Sequence, residues 1–194
     1  MLRQLASKGV ALGVGSREGF EEVCLRSPGR YDVPRGFDAF DAELLGRLER
    51  LCEGFVSQKA FAGLVRAQPG SEAQQWHADS PHVSKEHSEP HLLNVLVPTQ
   101  SVTEDLGPTE LLPGSHRLTN HLENKAFGSE ILYQAADNGP EKIGSREEPV
   151  KATMEAGSVL IFDDRILHRG GHNRSQLDRD VAFFSYRQAP EHSL

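Results

Sequence analysis

What the chain has little of narrows its class first. Only two cysteines, Cys24 and Cys52, occur in 194 residues. That is too few for a disulfide framework, so they are read as reduced thiols in a cytoplasmic protein. No uninterrupted apolar run approaches the roughly 20 residues that cross a bilayer. The opening MLRQLASKGVALGVG lacks the long apolar block of a secretory leader, and the closing HSL matches no peroxisomal address. Positive charge is in deficit: 21 Lys and Arg stand against 28 Asp and Glu, leaving a formal net charge of −7. Such a balance argues against general nucleic-acid binding. Neither an internal repeat nor a low-complexity tract is present. The length suits one domain with a proper core, residues 1–194.

What is there falls into two textures. The front end, residues 1–58, reads as helical. Ser16 is a candidate cap for a short helix carrying Phe20, Val23 and Cys24. Over 41–55, DAELLGRLERLCEGF, the residues Leu44, Leu45, Leu48, Leu51, Cys52 and Phe55 recur at helical spacing as one apolar stripe. Asp41 suits the N-cap and Gly54 the stop. From residue 60 to 188, short runs rich in β-branched and aromatic residues alternate with Gly and Pro punctuation. FAGLVRA, EAQQWHAD, HLLNVLV, TELLP, EILYQ, SVLIFD and VAFFSYR all read as strands. Several short strands with few helices between them point to an antiparallel barrel or sandwich, of which the jelly roll is one form. The polar, glycine-containing stretch 115–147 reads as an insertion or lid over that core.

Within this frame, QQWHADSPH at 74–82 holds His77-x-Asp79. The match is weak alone, because so short a pattern arises by chance in a chain with nine histidines. On a strand, alternation puts Gln75, His77 and Asp79 on one face and Trp76 and Ala78 on the other. A third donor, His168, lies 91 residues downstream in SVLIFDDRILHRGGHNRS, after an apolar strand and a DDR turn. Two histidines and one carboxylate on neighbouring strands form the three-ligand set of non-haem Fe(II) oxygenases. It leaves three coordination positions, enough for an α-keto acid and dioxygen. A structural zinc site would want four protein ligands, usually with Cys, and neither cysteine is near. Arg179, eleven positions after His168, opens the last strand. A return through GGHNRSQLD would bring its guanidinium beside His168, where it could grip a distal carboxylate with two parallel hydrogen bonds.

HADSPH, GPTELLPGSHR and HRGGHNRSQLDR together resemble the phytanoyl-CoA dioxygenase family, over roughly residues 60–188 and in the family's order. The resemblance implies a mainly β fold with flanking helices, a double-stranded β-helix (jelly roll, cupin-like). It implies Fe(II) as cofactor with 2-oxoglutarate and O₂ as cosubstrates, and hydroxylation of a small organic or acyl substrate with release of succinate and CO₂. Its metal ligands match His77, Asp79 and His168, and its 2-oxoglutarate arginine matches Arg179. Pro113-Gly114-Ser115-His116 matches a structural turn. One departure is Gly170, where members often place a hydroxyl residue two after the distal histidine. Leu96 falls near a position where some members carry tryptophan, and Asn94, one step earlier on that face, is a candidate donor to 2-oxoglutarate.

The remaining polar residues have plainer readings. His82, His87, His91, His116, His121, His172 and His192 are expected at the surface or in hydrogen bonds rather than as ligands. Arg165, Arg169 and Arg174 are either a solvated face or help for an anionic substrate. Asp163 and Asp164 form the turn before His168, and Trp76 belongs to the core. Two alternatives to the oxygenase stay open: a catalytically silent jelly-roll binding protein, and a cupin-like metal isomerase with no need of Arg179. The expected partner is a small molecule, not nucleic acid or a membrane. The sequence leaves the oligomeric state open.

Overall fold

The computed structural model describes residues 30–33, 50, 56–123 and 145–188. Eight strands build two antiparallel sheets. They are β1 (Arg30–Val33), β2 (Val56–Ala67), β3 (Leu92–Pro98), β4 (Thr109–Leu111), β5 (Val150–Ala152), β6 (Leu160–Asp163), β7 (His168–Gly170) and β8 (Arg179–Gln188). The larger sheet runs β1-β2-β8-β3-β6 and the smaller β5-β4-β7. This is the expected mainly β jelly roll.

The central strand β8 lies between β2 and β3, and its register decides which residues share a face. Leu64, Ala182 and Val97 stand opposite one another, as do Val95 and Phe184. All five are buried, as is Tyr186, whose ring stacks with that of Phe184 at 6.4 Å between centroids. Burying each such side chain contributes roughly 1.5–3 kcal/mol for the larger ones. The other face carries Asn94 opposite both Ser185 and Phe162, Leu96 opposite Phe183, and Ala67 opposite Arg179. The Phe162 ring meets the His168 ring edge-on at 4.9 Å, so this second face looks toward the smaller sheet and the site.

Three sequence expectations need correction. Arg30–Val33 is a strand paired with β2, inside the span read as helical. At four residues it is too short to show a period of its own. Residues 72–79 are extended but form only one isolated bridge, His77 to His168. Gln74 N–H donates to Gly170 and His77 N–H to His168, so four residues oppose three, and the extra residue interrupts the ladder. His168 begins a strand, where the glycines that follow it at 170 and 171 suggest a bend. The stretch 115–147, read as an insertion or lid, is anchored at its first residue: Ser115 is fully buried and its Oγ accepts a hydrogen bond from Leu167 N–H at 2.8 Å. Residues 124–144, with EILYQ, lie outside the described residues. So do the residues of the expected short helix capped by Ser16 and, apart from Arg50, those of the helix expected over 41–55.

One tight crossing joins the two sheets. Gly107 has φ +70°, and a Cβ there would sit 2.5 Å from the backbone of Gly171 and His172. Gly171 N–H in turn donates to Pro108 at 2.9 Å. The Gly107 carbonyl also accepts a hydrogen bond from Arg179 Nη1. A side chain at 107 would therefore push β7 and Arg179 apart. Gly107→Ala should cost more than about 1 kcal/mol from backbone conformation alone. Urea unfolding checks it; stability within 0.5 kcal/mol (roughly the scatter of a harmless surface change) would contradict the crossing.

Candidate metal centre

The site is assembled by a backbone exchange. His77 N–H donates to the His168 carbonyl at 3.0 Å, and His168 N–H donates back to His77 at 2.8 Å. This antiparallel bridge sets the two imidazoles side by side, 4.4 Å between ring centroids. Asp79, two residues on, is fixed at its backbone by a 2.8 Å bond from its N–H to the Asp164 carbonyl. One ligand atom from each of His77, Asp79 and His168 falls within 4.8 Å of the others. Asp79 Oδ1 lies 3.7 Å from His77 Nε2, and Oδ2 lies 3.5 Å from His168 Nε2.

The ring nitrogens turned away from this centre are both engaged. His77 Nδ1 is 2.8 Å from the Gln75 carbonyl and His168 Nδ1 is 2.9 Å from the Ile166 carbonyl. A carbonyl only accepts, so each Nδ1 carries its proton, and each Nε2 of a neutral ring presents a lone pair inward. That fixed tautomer is what a metal-binding histidine needs. Two neutral imidazoles and one carboxylate, with no thiolate, make a donor set fit for a divalent first-row metal with open positions. Gln75 contributes its carbonyl, its side chain being exposed. Trp76 is buried in the core as expected.

The surroundings are more polar than sequence reasoning allowed. Arg165 is 1% exposed rather than on a solvated face. Its Nε and Nη2 bond Asp163 at 2.9 and 2.6 Å, and Nη2 and Nη1 reach the Ser88 carbonyl and hydroxyl. This pair ties the segment after Asp79 to the turn before His168, and its hydrogen bonds hold the Asp163 carboxyl below the usual range against burial. Arg169 is likewise committed: it bonds Glu110 at 2.7 Å and lies 4.6 Å over the Trp76 ring. Arg174 is exposed. Burial pushes the Asp164 carboxyl up to about 7, with Asp79 adding to the rise and Ser80 opposing it.

Arg179 is buried, on the same sheet face as Asn94 and Ser185. It does not belong to the three-donor cluster. Asn94 differs from expectation: its Nδ2 donates to Asp79 Oδ2 at 2.5 Å, and its Oδ1 accepts from Ser185 Oγ at 2.6 Å. Ser185 and Gln74 went unnoticed in the sequence; the Gln74 side chain accepts from Gly170 N–H at 2.8 Å. The signal for Asn94 and Ser185 was there: each is a lone polar residue inside an apolar strand.

Among the other histidines, His82 is buried, with Nε2 3.2 Å from Thr119 Oγ1. Burial, then Arg165 and His121, hold its pKa down to about 4. Burial also lowers His91 and His116. Because the folded pKa of His82 is depressed, the unfolded chain binds more protons between about pH 6.5 and 4. Its neutral ring therefore fits the fold fully above 6.5, and stability is lost as pH falls through that window, up to ~3 kcal/mol. His82→Gln should flatten the slope of stability against pH over that range in the metal-free protein. Parallel wild-type and variant slopes in urea unfolding would refute it.

A family model described as phytanoyl-CoA dioxygenase matches residues 34–181. The iron/alpha-ketoglutarate-dependent dioxygenase ausO of Aspergillus calidoustus is 30% identical over 112 residues, 54% of this chain and 32% of the relative. The L-proline trans-4-hydroxylase of Streptomyces griseoviridis is 24% identical over 181 residues, 86% of this chain and 63% of the relative. The chain thus spans about a third of the length of the fungal dioxygenases it matches. Among solved structures, HygX of Streptomyces hygroscopicus, with nickel and 2-oxoglutarate bound, aligns at a TM-score of 0.61. It is 16% identical, over 98% of this chain and 78% of HygX.

Proposed function

The chain belongs to the phytanoyl-CoA dioxygenase family, and from that membership we propose that it is a non-haem Fe(II)- and 2-oxoglutarate-dependent dioxygenase. Its substrate is a small organic or acyl molecule, and the whole chain acts as one oxygenase domain. The observation that carries this reading is the meeting of two Nε2 lone pairs and one carboxylate from segments 91 residues apart, with both Nδ1 protons already taken. The printed names of relatives support it: ausO is an iron/alpha-ketoglutarate enzyme, and HygX was solved with 2-oxoglutarate and a divalent metal. Among the described residues no helix is long and apolar enough to cross a membrane. A reducing cytoplasmic setting suits an Fe(II) centre.

In this reading His77, Asp79 and His168 hold the iron. When bound, iron with 2-oxoglutarate and O₂ supplies the oxidation: the keto acid leaves as succinate and CO₂, and one oxygen atom enters a substrate C–H bond. The protein's own residues bind and orient. The two imidazoles donate as neutral ligands, so Asp79 alone lowers the charge of the centre, which stays positive enough to attract a dianionic cosubstrate. Arg179 grips the distal carboxylate of 2-oxoglutarate. A guanidinium has five N–H donors in one plane, and the bond to Gly107 fixes the orientation of that plane. No side chain is required as a general acid or base.

Aerobic incubation with Fe(II) and 2-oxoglutarate, read as succinate, tests the proposal and separates it from a silent scaffold or a metal isomerase. His77→Ala and His168→Ala should each lower succinate release at least ~100-fold. Arg179→Ala should raise the KM for 2-oxoglutarate by roughly 100-fold, the loss of two charge-assisted hydrogen bonds, with unchanged circular dichroism. Undiminished succinate from His168→Ala would overturn the assignment.

A further inference from the structure

We propose that Asn94 and Ser185 form a positioning relay that aims the Asp79 carboxylate at the metal. The inference rests on the metal-centre reading above and adds to it how the one exposed ligand is held. Asp79 is 40% exposed at its side chain, whereas the His77 and His168 side chains are 6% and 9% exposed. The imidazoles are fixed by packing and by their Nδ1 bonds. A carboxylate on the wet side of a site is held less by packing, and the hydrogen bond from Asn94 bears directly on its torsion.

Asn94 supplies that bond from a rigid place. It lies in β3 with strands on both sides, opposite Ser185 in β8 and Phe162 in β6, and is itself buried. The chemistry fixes which way its amide faces. A carboxylate only accepts, so the group facing Asp79 at 2.5 Å is the NH₂. The amide oxygen then faces the Ser185 hydroxyl at 2.6 Å, and Ser185 must donate to it. Proton direction thus runs one way, from Ser185 to Asn94 to Asp79. A hydroxyl donating to the amide oxygen polarises the amide and strengthens its N–H toward the carboxylate. The donor is neutral, so Asp79 keeps its full negative charge for the metal; a lysine or arginine in its place would compete with the cation. Hydrogen-bonded partners of metal ligands of this kind change affinity about 10–100-fold when removed.

The test titrates metal-free protein with Mn(II), read by the electron paramagnetic resonance of free Mn(II), and then adds 2-oxoglutarate at saturating Mn(II). Asn94→Ala should weaken Mn(II) about 10–100-fold, leaving the Tm of the metal-free protein within a few degrees and 2-oxoglutarate affinity within about twofold. Ser185→Ala should shift Mn(II) affinity the same way by a smaller factor, and Ser185→Thr, which keeps the hydroxyl, should restore it. If Asn94→Ala does not fold, the contrast between the two Ser185 variants carries the result: equal affinities would overturn the relay. A loss confined to 2-oxoglutarate binding in Asn94→Ala would assign Asn94 to the cosubstrate and overturn it too. His77→Ala separates the two levels. If it abolishes Mn(II) binding while Asn94→Ala is silent, only the relay fails. If it binds Mn(II) like wild type, the metal centre itself is wrong and the relay falls with it.

Discussion

The pair of backbone hydrogen bonds between His77 and His168 is the constraint on which the site depends. It is a single bridge, outside any regular ladder, yet it joins the segment after β2 to the start of β7. Without it the two imidazoles would have no reason to stand 4.4 Å apart. Everything nearby reinforces it. Gln74 bonds Gly170 on one side of the bridge through both backbone and side chain, and Asp79 bonds Asp164 on the other. The Gln75 and Ile166 carbonyls, each two residues before a histidine, then choose the tautomer. Ligand geometry here is a product of local chain course, and only secondarily of side-chain packing.

Around that bridge the protein buries charge. Asp163 ends β6 and Arg165 lies in the turn that leads to β7, and the guanidinium reaches across to Ser88. Asn120 donates from the other direction to the Ser84 and Lys85 carbonyls. The segment that follows Asp79 is thereby held at two points, by groups whose desolvation is tolerable only because the hydrogen bonds are complete. Removing one partner would leave a charge stranded, so this arrangement specifies one course for residues 80–91 more than it adds net stability.

The donors were legible in the sequence because they are few in type and sit in blocks with recognisable neighbours. His77, Asp79 and His168 stood out through the family-like blocks HADSPH and HRGGHNRSQLDR taken together, since His77-x-Asp79 alone is a weak pattern. Long strands were legible for a related reason: β3 and β8 are runs of aliphatic, β-branched and aromatic residues long enough to stand out between turn residues. Short strands such as β1, β5 and β7 were not, since three or four residues carry no periodicity and their pairing is decided by distant partners. Arg165 was misplaced because a charged residue in a polar turn ordinarily faces water, and its burial depends on Ser88, 77 positions away. Asn94 was noticed as a donor, but its bond to Asp79 was not foreseen; nothing in HLLNVLV says that Asp79 lies across from it.

β8 places Arg179 at its first residue and Ser185 six residues later, both on the face that looks into the site. At about 3.3 Å per residue, one strand acts as a ruler some 20 Å long, graduated with the candidate cosubstrate anchor near one end and the support of the metal ligand toward the other. Because β8 is hydrogen-bonded along both edges, neither mark can slide relative to the other. The spacing between the two marks is thus set by the pairing of the sheet and not by the loops around it.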